Sequence, residues 1–444
     1  MTAEVHPIRT AAETELCEAF ASAKARLPGG QDVAARREAA FHRFEARGLP
    51  HRRVEEWKYT DLRAMMRDAK PLASPPDAAA KARAKTAAQV LGDVECRRLV
   101  FVDGVFAADL SDLDALEAGL TVRPMAEALA AGDPLVKGYL GKVATAEDDV
   151  ALSLNTAFMG DGAVIRIAAG ASLDRPLHLV FAAAGDAPAS IFTRSLVVIE
   201  KGARAMLVES HQGAEGRDYQ VNTAIELVVE DEAHVDHVKI TREGASALHI
   251  SSLVATIGAR ARFNAFAFTT GGAVVRNQMF LRFDGEGTVA ALRGASLLAG
   301  RQHADVTVFA DHAVGGCQSR ELFKSVLDGE SRGVFQGKIT VRPDAQQTDA
   351  KMMTQALLLS ETAEADNKPE LEIFADDVQC GHGATAGKLD EDLLFYLKAR
   401  GIPAKEAEAL LVRAFVGEAI DGIEHAGLRE QLMDAVIAWV AARD

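Results

Sequence analysis

Cysteine, aromatic side chains and positive charge are all in short supply in this chain. Its 444 residues include four cysteines, Cys17, Cys96, Cys317 and Cys380. They are too few and too scattered for a disulfide framework or for a CxxC-type zinc or cluster motif. A protein that holds a metal cluster on its own neighbouring thiols is therefore disfavoured. Aromatic residues make up only 6% of the chain, so small and β-branched side chains must fill much of the interior, which suits tightly stacked strands. The 49 Lys and Arg are outnumbered by 64 Asp and Glu, for a formal charge of −15. Nucleic acids and anionic membranes select clustered cations that displace counterions, so neither is an expected partner. The first residues lack a basic stretch followed by an apolar one, and Arg, Asp or Gly interrupts the apolar runs before they reach membrane-spanning length. These absences lead us to expect a cytoplasmic protein. The remaining composition, 48% hydrophobic and 25% charged, is that of a globular chain with an ample core.

The chain begins with helical patterns, Glu13 to Leu27 and Asp32 to Arg47, the second closed by Gly48. The segment HRRVEEWKYTDLR sets Trp57 and Tyr59 among polar residues. There they either anchor the helices on the next domain, the preferred reading, or offer a binding platform. A Pro- and Ala-rich run, KPLASPPDAAAKARAKTAAQ, reads as a connector. After it, Leu99 to Ala108 reads as a hairpin, because Asp103-Gly104 suits a tight turn.

From about Leu152 to Val378 the pattern changes to short alternating runs broken by polar or glycine turns. Segments beginning at Val197, Leu227, Val254 and Leu281 resemble one another and recur every 26 to 30 residues or so, within the range of solenoid repeats. A fifth, from Ser325, lies farther on, which predicts a longer coil or an insertion before it. A β-sandwich also has many short strands. Regular self-similarity and small aliphatic interiors place a β-helix ahead of it. Helices return after Leu389: Asp390 can cap one through LLFYLKAR that stops at Gly401, Pro403 starts a second, and a third runs from Leu428 to Ala442. This helical unit either closes the open end of the solenoid or docks a partner. The predicted organisation is a helical domain with its connector over 1–95, a strand region with a β-helix core over 96–385, and a helical domain over 386–444.

The densest chemistry lies in DDVQCGHGATAGK, Asp376 to Lys388. Cys380 and His382 are two apart, so on a strand they share a face with Val378. Gly381 and Gly383 remove bulk beside the histidine and permit close approach of another backbone. An unperturbed imidazole is mostly neutral at slightly alkaline pH and ready to ligate, whereas a free thiol is mostly protonated. On the residue types alone, a packed strand with an inert buried cysteine and a hydrogen-bonded histidine is the preferred reading. His234 and His237 would point to opposite sides of a strand, which argues against chelation. Asp311, His312 and Cys317 form a mixed group around a glycine turn, a lesser metal candidate. GHGATAGK lacks the glycine spacing and the Ser or Thr of a phosphate-binding loop, and neither GxSxG nor HExxH occurs.

Three stretches, VFQGKITVRPDAQQTDA, LLLSETAEADNKPELEIFADDVQCGHGATAG and LLFYLKARGI, resemble the SufB/SufD family of iron-sulfur cluster assembly proteins. The similarity also takes in SLNTAFMGDGAVIRI from Ser153 and EEWKYTDL from Glu55, and so spans most of the chain. It is closer to the SufD branch. The SufB pattern flanks its histidine with two glutamates, where Gly381 and Gly383 stand here. It also has a cysteine in the segment corresponding to about Met352 to Leu358, which contains none.

The resemblance implies a mainly β fold, a right-handed parallel β-helix between N-terminal and C-terminal helical domains, in a complex of SufB, SufC and SufD. SufC is the ATPase of such a complex, so this chain is expected to be a non-catalytic assembly subunit. By the same analogy, the C-terminal helices, with Leu394, Phe395, Tyr396, Arg400, Leu411 and Phe415, would dock a SufC subunit. The solenoid end near His382 would face SufB. The cofactor implied is a transient iron-sulfur cluster shared with SufB, with His382 as metal ligand and Cys380 a second candidate, since one or two ligands fall short of the usual four or so. No tightly bound cofactor is expected. Flavin binding by the assembled complex is a further implication, although no GxGxxG fingerprint supports it. The chain alone could form a homodimer. Two alternatives stand beside this reading: a purely architectural subunit without a cluster ligand, and a carbohydrate-active β-helix, which the scarcity of aromatics for sugar stacking disfavours.

Overall fold

The computed structural model describes residues 9–143, 146 and 148–443. Among these, successive strands from Ala163–Ile167 onward alternate between a nine-stranded and a ten-stranded sheet. Each coil gives one strand to each sheet, and coils stack in register: Leu248 lies beside Val274, Val274 beside His303, His303 beside Arg332, and Arg332 beside Glu364. The architecture is a parallel β-solenoid of about eight coils with helices toward both chain ends, as the repeat predicted. The longer coil expected before Ser325 is absent. The segments from Val197, Leu227, Val254 and Leu281 all turn from the nine-stranded to the ten-stranded sheet. The one from Ser325 turns the other way, between Gln318–Leu327 and Arg332–Val341. The apparent gap is thus a change of corner, not of period.

Alternate residues of each strand face inward and stack into one aliphatic column, with Leu207, Val235, Ile257, Leu281, Val308 and Ile339 fully or nearly buried. One ring in it, Phe323, has a glycine beside it in the neighbouring coil. A Cβ on Gly294 would stand 2.8 Å from the Phe323 ring. The corners are tighter still: a Cβ on Gly285 would fall 1.8 Å from the backbone nitrogen of Ala259 in the coil beside it. Scarce aromatics and abundant small residues are therefore what close-stacked coils require.

At the N-terminal end, Arg97–Val102 joins the ten-stranded sheet beside Leu177–Ala183. The predicted hairpin forms there, with Asp103 at φ 50° and Gly104 at φ 84°. Helices Ala11–Ala23 and Gln31–Arg47 match the helical patterns to within a few residues. Half of the predicted connector is instead the helix Ala78–Ala87, started by Asp77, whose side chain accepts from the Ala80 amide at 2.7 Å. Three short helices, Met125–Ala131, Pro134–Tyr139 and Val150–Phe158, also lie within the segment read as strands. Trp57 is an anchor: it is 2% exposed, lies 3.9 Å beneath the Arg276 guanidinium, and donates through Nε1 to Asp149 at 3.3 Å.

After the last strand, Asp390 caps Glu391–Ala399 through the Leu393 amide at 2.9 Å, and Gly401 ends that turn at φ 85°. Helices Ala404–Ile420 and Ala426–Ala441 follow. Their apolar sides, including Val412, Val416, Ile420, Leu428 and Leu432, pack on the outer face of the ten-stranded sheet at Val326 and Leu297. Lys324 pairs with Glu418 over the Phe415 ring. The helices cover the side of the solenoid and leave its last coil open, which removes the end-closing alternative.

Candidate functional site

The final strand, Gln379–Gly387, pairs on one side only, with Asp349–Leu358. Cys380 stands beside Ala350 and His382 beside Met352. Ala350 and Met352 belong to the buried column, and parallel register keeps neighbouring side chains on one face. Both candidate ligands therefore point into the bore of the solenoid, a direction that their shared parity with Val378 left open. Nothing among the described residues stacks on the outer side of this coil, so His382 is exposed and Cys380 half-buried. The other sheet ends in the same way at Glu364–Ile373, where Ile373 is 40% and the following Phe374 62% exposed. Two strand edges and an apolar, histidine-bearing mouth thus lie open together, and such edges readily accept further strands.

Gly381 and Gly383 face the opposite way. A Cβ on Gly381 would meet nothing within 4 Å, while one on Gly383 would come within 2.7 Å of the flexible Met353 side chain. Packing within this chain therefore does not account for the bare position at Gly381.

Burial pushes the Cys380 thiol above its ordinary value, and Asp349 adds to that, while the Ala350 backbone opposes it. The thiol is therefore protonated near neutral pH and needs an incoming cation to become a thiolate. Cys380 and His382 are about 7 Å apart along the strand. They can supply one sulfur and one nitrogen, an incomplete set for a cluster.

The lesser candidates do not assemble. Asp311 pairs outward with Arg342 at 2.6 Å. His312 turns inward, stacked 4.2 Å from Phe283 and 3.1 Å from the Ser319 hydroxyl. The Cys317 thiol donates to the Gly285 carbonyl at 3.3 Å. No metal-compatible grouping among the described residues contains these three.

On Glu391–Ala399, Phe395 is 72% and Tyr396 52% exposed, with the Arg400 guanidinium 3.5 Å above the Tyr396 ring. Leu394, Leu411 and Phe415 are half-buried, Phe415 beneath Lys324. The first helix of this unit thus presents a free aromatic face, while the second is engaged in holding itself to the sheet.

One interior residue escaped the sequence reading. In the register Leu292, Glu321, Met352, His382, the carboxyl of Glu321 lies two coils inward from His382. Neither of its oxygens has a hydrogen-bond partner among the described residues, and burial pushes its pKa up to about 8. Strand parity could have revealed it, because Ser319, Glu321 and Phe323 alternate with Arg320 and Leu322.

Comparison with known proteins matches the same span. A family model described as the SufBD core domain of the SUF system for FeS cluster assembly matches residues 181–415, and one for the SufBD N-terminal region matches 11–179. An iron-sulfur cluster assembly SufBD family protein of Synechocystis is 31% identical over 98% of this chain and 97% of its own length. The iron-sulfur cluster assembly protein SufD of Escherichia coli is 29% identical over 87% of this chain and 88% of its own length. A SufBD family protein of Mycobacterium tuberculosis is 32% identical over 69% of this chain and 76% of its own. With solenoid, open mouth and both family regions in place, the chain belongs to the SufBD family of iron-sulfur cluster assembly proteins and is SufD-like.

Proposed function

We propose that this chain is the non-ATPase, SufD-type subunit of a three-component assembly complex and helps to form a nascent iron-sulfur cluster at the open end of its solenoid. The observation that carries this reading is His382, which points into the bore yet is exposed because no further coil covers it among the described residues. A SufB-type partner that continues both sheets from their free edges would bring its own cysteine and carboxylate over His382 and Cys380 and complete the ligand set. The open surface beside Gly381 would let that partner approach closely. The cluster is cargo, held between two chains and passed on, which fits a site with two candidate ligands. The exposed face of Glu391–Ala399, with Phe395, Tyr396 and Arg400, would seat a SufC-type ATPase, aromatic and arginine side chains being favoured anchors at interfaces.

The test is cluster reconstitution on the assembled complex with His382→Ala and Cys380→Ala. We expect a marked loss of cluster absorption with His382→Ala and a smaller loss with Cys380→Ala, with all subunits still co-eluting. Full cluster yield on an intact His382→Ala complex would remove the ligand role and leave the architectural alternative.

A further inference from the structure

Far from the mouth, the bore of the solenoid contains a second polar group that the proposed function does not use. Glu209 and His211 of Arg204–Gly213, His237 and Lys239 of His234–Arg242, and His249 of Leu248–Ile257 all take inward positions. Glu243, from the corner before Leu248, turns in to join them. We propose that this interior group is a binding site for one divalent transition-metal ion, held by His211, His249 and Glu243.

The geometry comes first. One ligand atom from each of the three residues can be chosen so that all lie within 4.8 Å of one another. Modest inward movement would bring them to the ligand separations of a four-coordinate site. The three are 1%, 0% and 4% exposed. The ring of Phe181 stacks on His211 at 4.6 Å, and His249 meets His211 edge-on at 4.7 Å, so both imidazoles have fixed planes. Tyr219 donates to Glu243 Oε2 at 2.6 Å, while Glu243 Oε1 lies 2.9 Å from His249 Nδ1. These supporting contacts orient the carboxylate as the outer partners of a metal ligand do.

Three observations then point to something missing. The Nε2 of His249, wholly buried, has no hydrogen-bond partner among the described residues, which is costly for a polar atom in such surroundings. A cavity of about 10 Å³, close to the space one water-sized occupant needs, is lined by His211 and Glu243 though not by His249. The charges also fail to balance. Glu209 has Lys239 at 3.6 Å, whereas among the described residues the ion-pair partner of Glu243 is His249. Two imidazoles and a carboxylate suit zinc or ferrous iron better than calcium or magnesium. Because all three ligands are buried, the ion would enter as the chain folds.

The test uses the full, tag-free chain, unfolded in chelator and refolded with excess Zn²⁺, or with Co²⁺ as a visible reporter, then passed through a desalting column with weak chelator. The expected result is one retained ion per chain and the visible absorption of low-symmetry Co²⁺. His382→Ala should retain both signals, which separates this site from the mouth. Glu243→Gln keeps volume and the approach of Tyr219, and, refolded to the wild-type circular dichroism, should bind on the order of a hundredfold more weakly. His249→Gln serves as the second variant. A refolded wild-type chain that retains no ion, or folded variants that hold it as tightly as wild type, would overturn the proposal.

Discussion

Replacing Glu321 by glutamine should make the solenoid more stable at neutral and alkaline pH and leave it unchanged in mild acid. The carboxyl is enclosed by the column, has no hydrogen-bond partner among the described residues, and titrates in the fold at about 8 against an ordinary 4.5. Because the folded value is the higher one, the stability linked to this proton is fully present below about pH 4.5 and is lost as pH rises through 8. Between those limits the slope is about 1.4 kcal/mol per pH unit for one proton. The loss is thus on the order of 3 kcal/mol at pH 7 and 5 kcal/mol above pH 8. Glutamine has nearly the same shape and no charge, so it abolishes the slope. For a chain of this size unfolding as one unit, 3 kcal/mol is roughly 3 °C in melting temperature. Buried histidines act in the opposite sense: His178 and His211 are held down to about 3, and His303 and His312 to about 4, so they cost stability as pH falls below 6.5. They are common to both proteins and cancel in the difference. The assay is a pair of thermal or urea denaturation series from pH 5 to 8.5. Parallel profiles for wild type and Glu321→Gln would refute the reasoning, since they would mean that the carboxyl reaches water or a cation in solution.

Gly285→Ala should destabilise the chain by on the order of 3 kcal/mol or more, seen as a lower urea midpoint, because its Cβ would overlap the rigid backbone of Ala259 rather than a side chain that can move. By contrast, Phe395→Glu on the exposed face of Glu391–Ala399 should leave the melting temperature within about 1 °C of wild type. In a pull-down it should weaken capture of a SufC-type ATPase at least tenfold; undiminished capture would move that interface elsewhere.

Much of the fold was legible in the sequence because β-solenoids write their geometry into it. Coil length appears as the spacing of Val197, Leu227, Val254 and Leu281, and strand parity appears as alternation. Parity alone placed Cys380 and His382 on one face, and the Asp390 and Gly401 signals located a helix by local backbone chemistry. The short helix Ala78–Ala87 was missed because its Ala-rich pattern has no contrast between faces and sits after prolines. The supposed long coil before Ser325 was misread because both corners of the solenoid use the same glycine and acidic residues.

Tertiary structure decided what local chemistry could not. Whether the side chain of His382 is buried or open depends on the absence of a coil beyond it, which is a property of where stacking stops. Whether the C-terminal helices close that end or lie along the side depends on how Val412, Val416 and Leu428 match the outer face near Val326. The grouping of His211, Glu243 and His249 arises only in the folded solenoid, because His211 comes from a strand of the ten-stranded sheet, His249 from a strand of the nine-stranded sheet, and Glu243 from the corner before it, so that they meet in the bore. Sequence determined the repeat, the parity and the scarcity of ligands; stacking determined which of those side chains meet, and which are left facing an opening that a partner can fill.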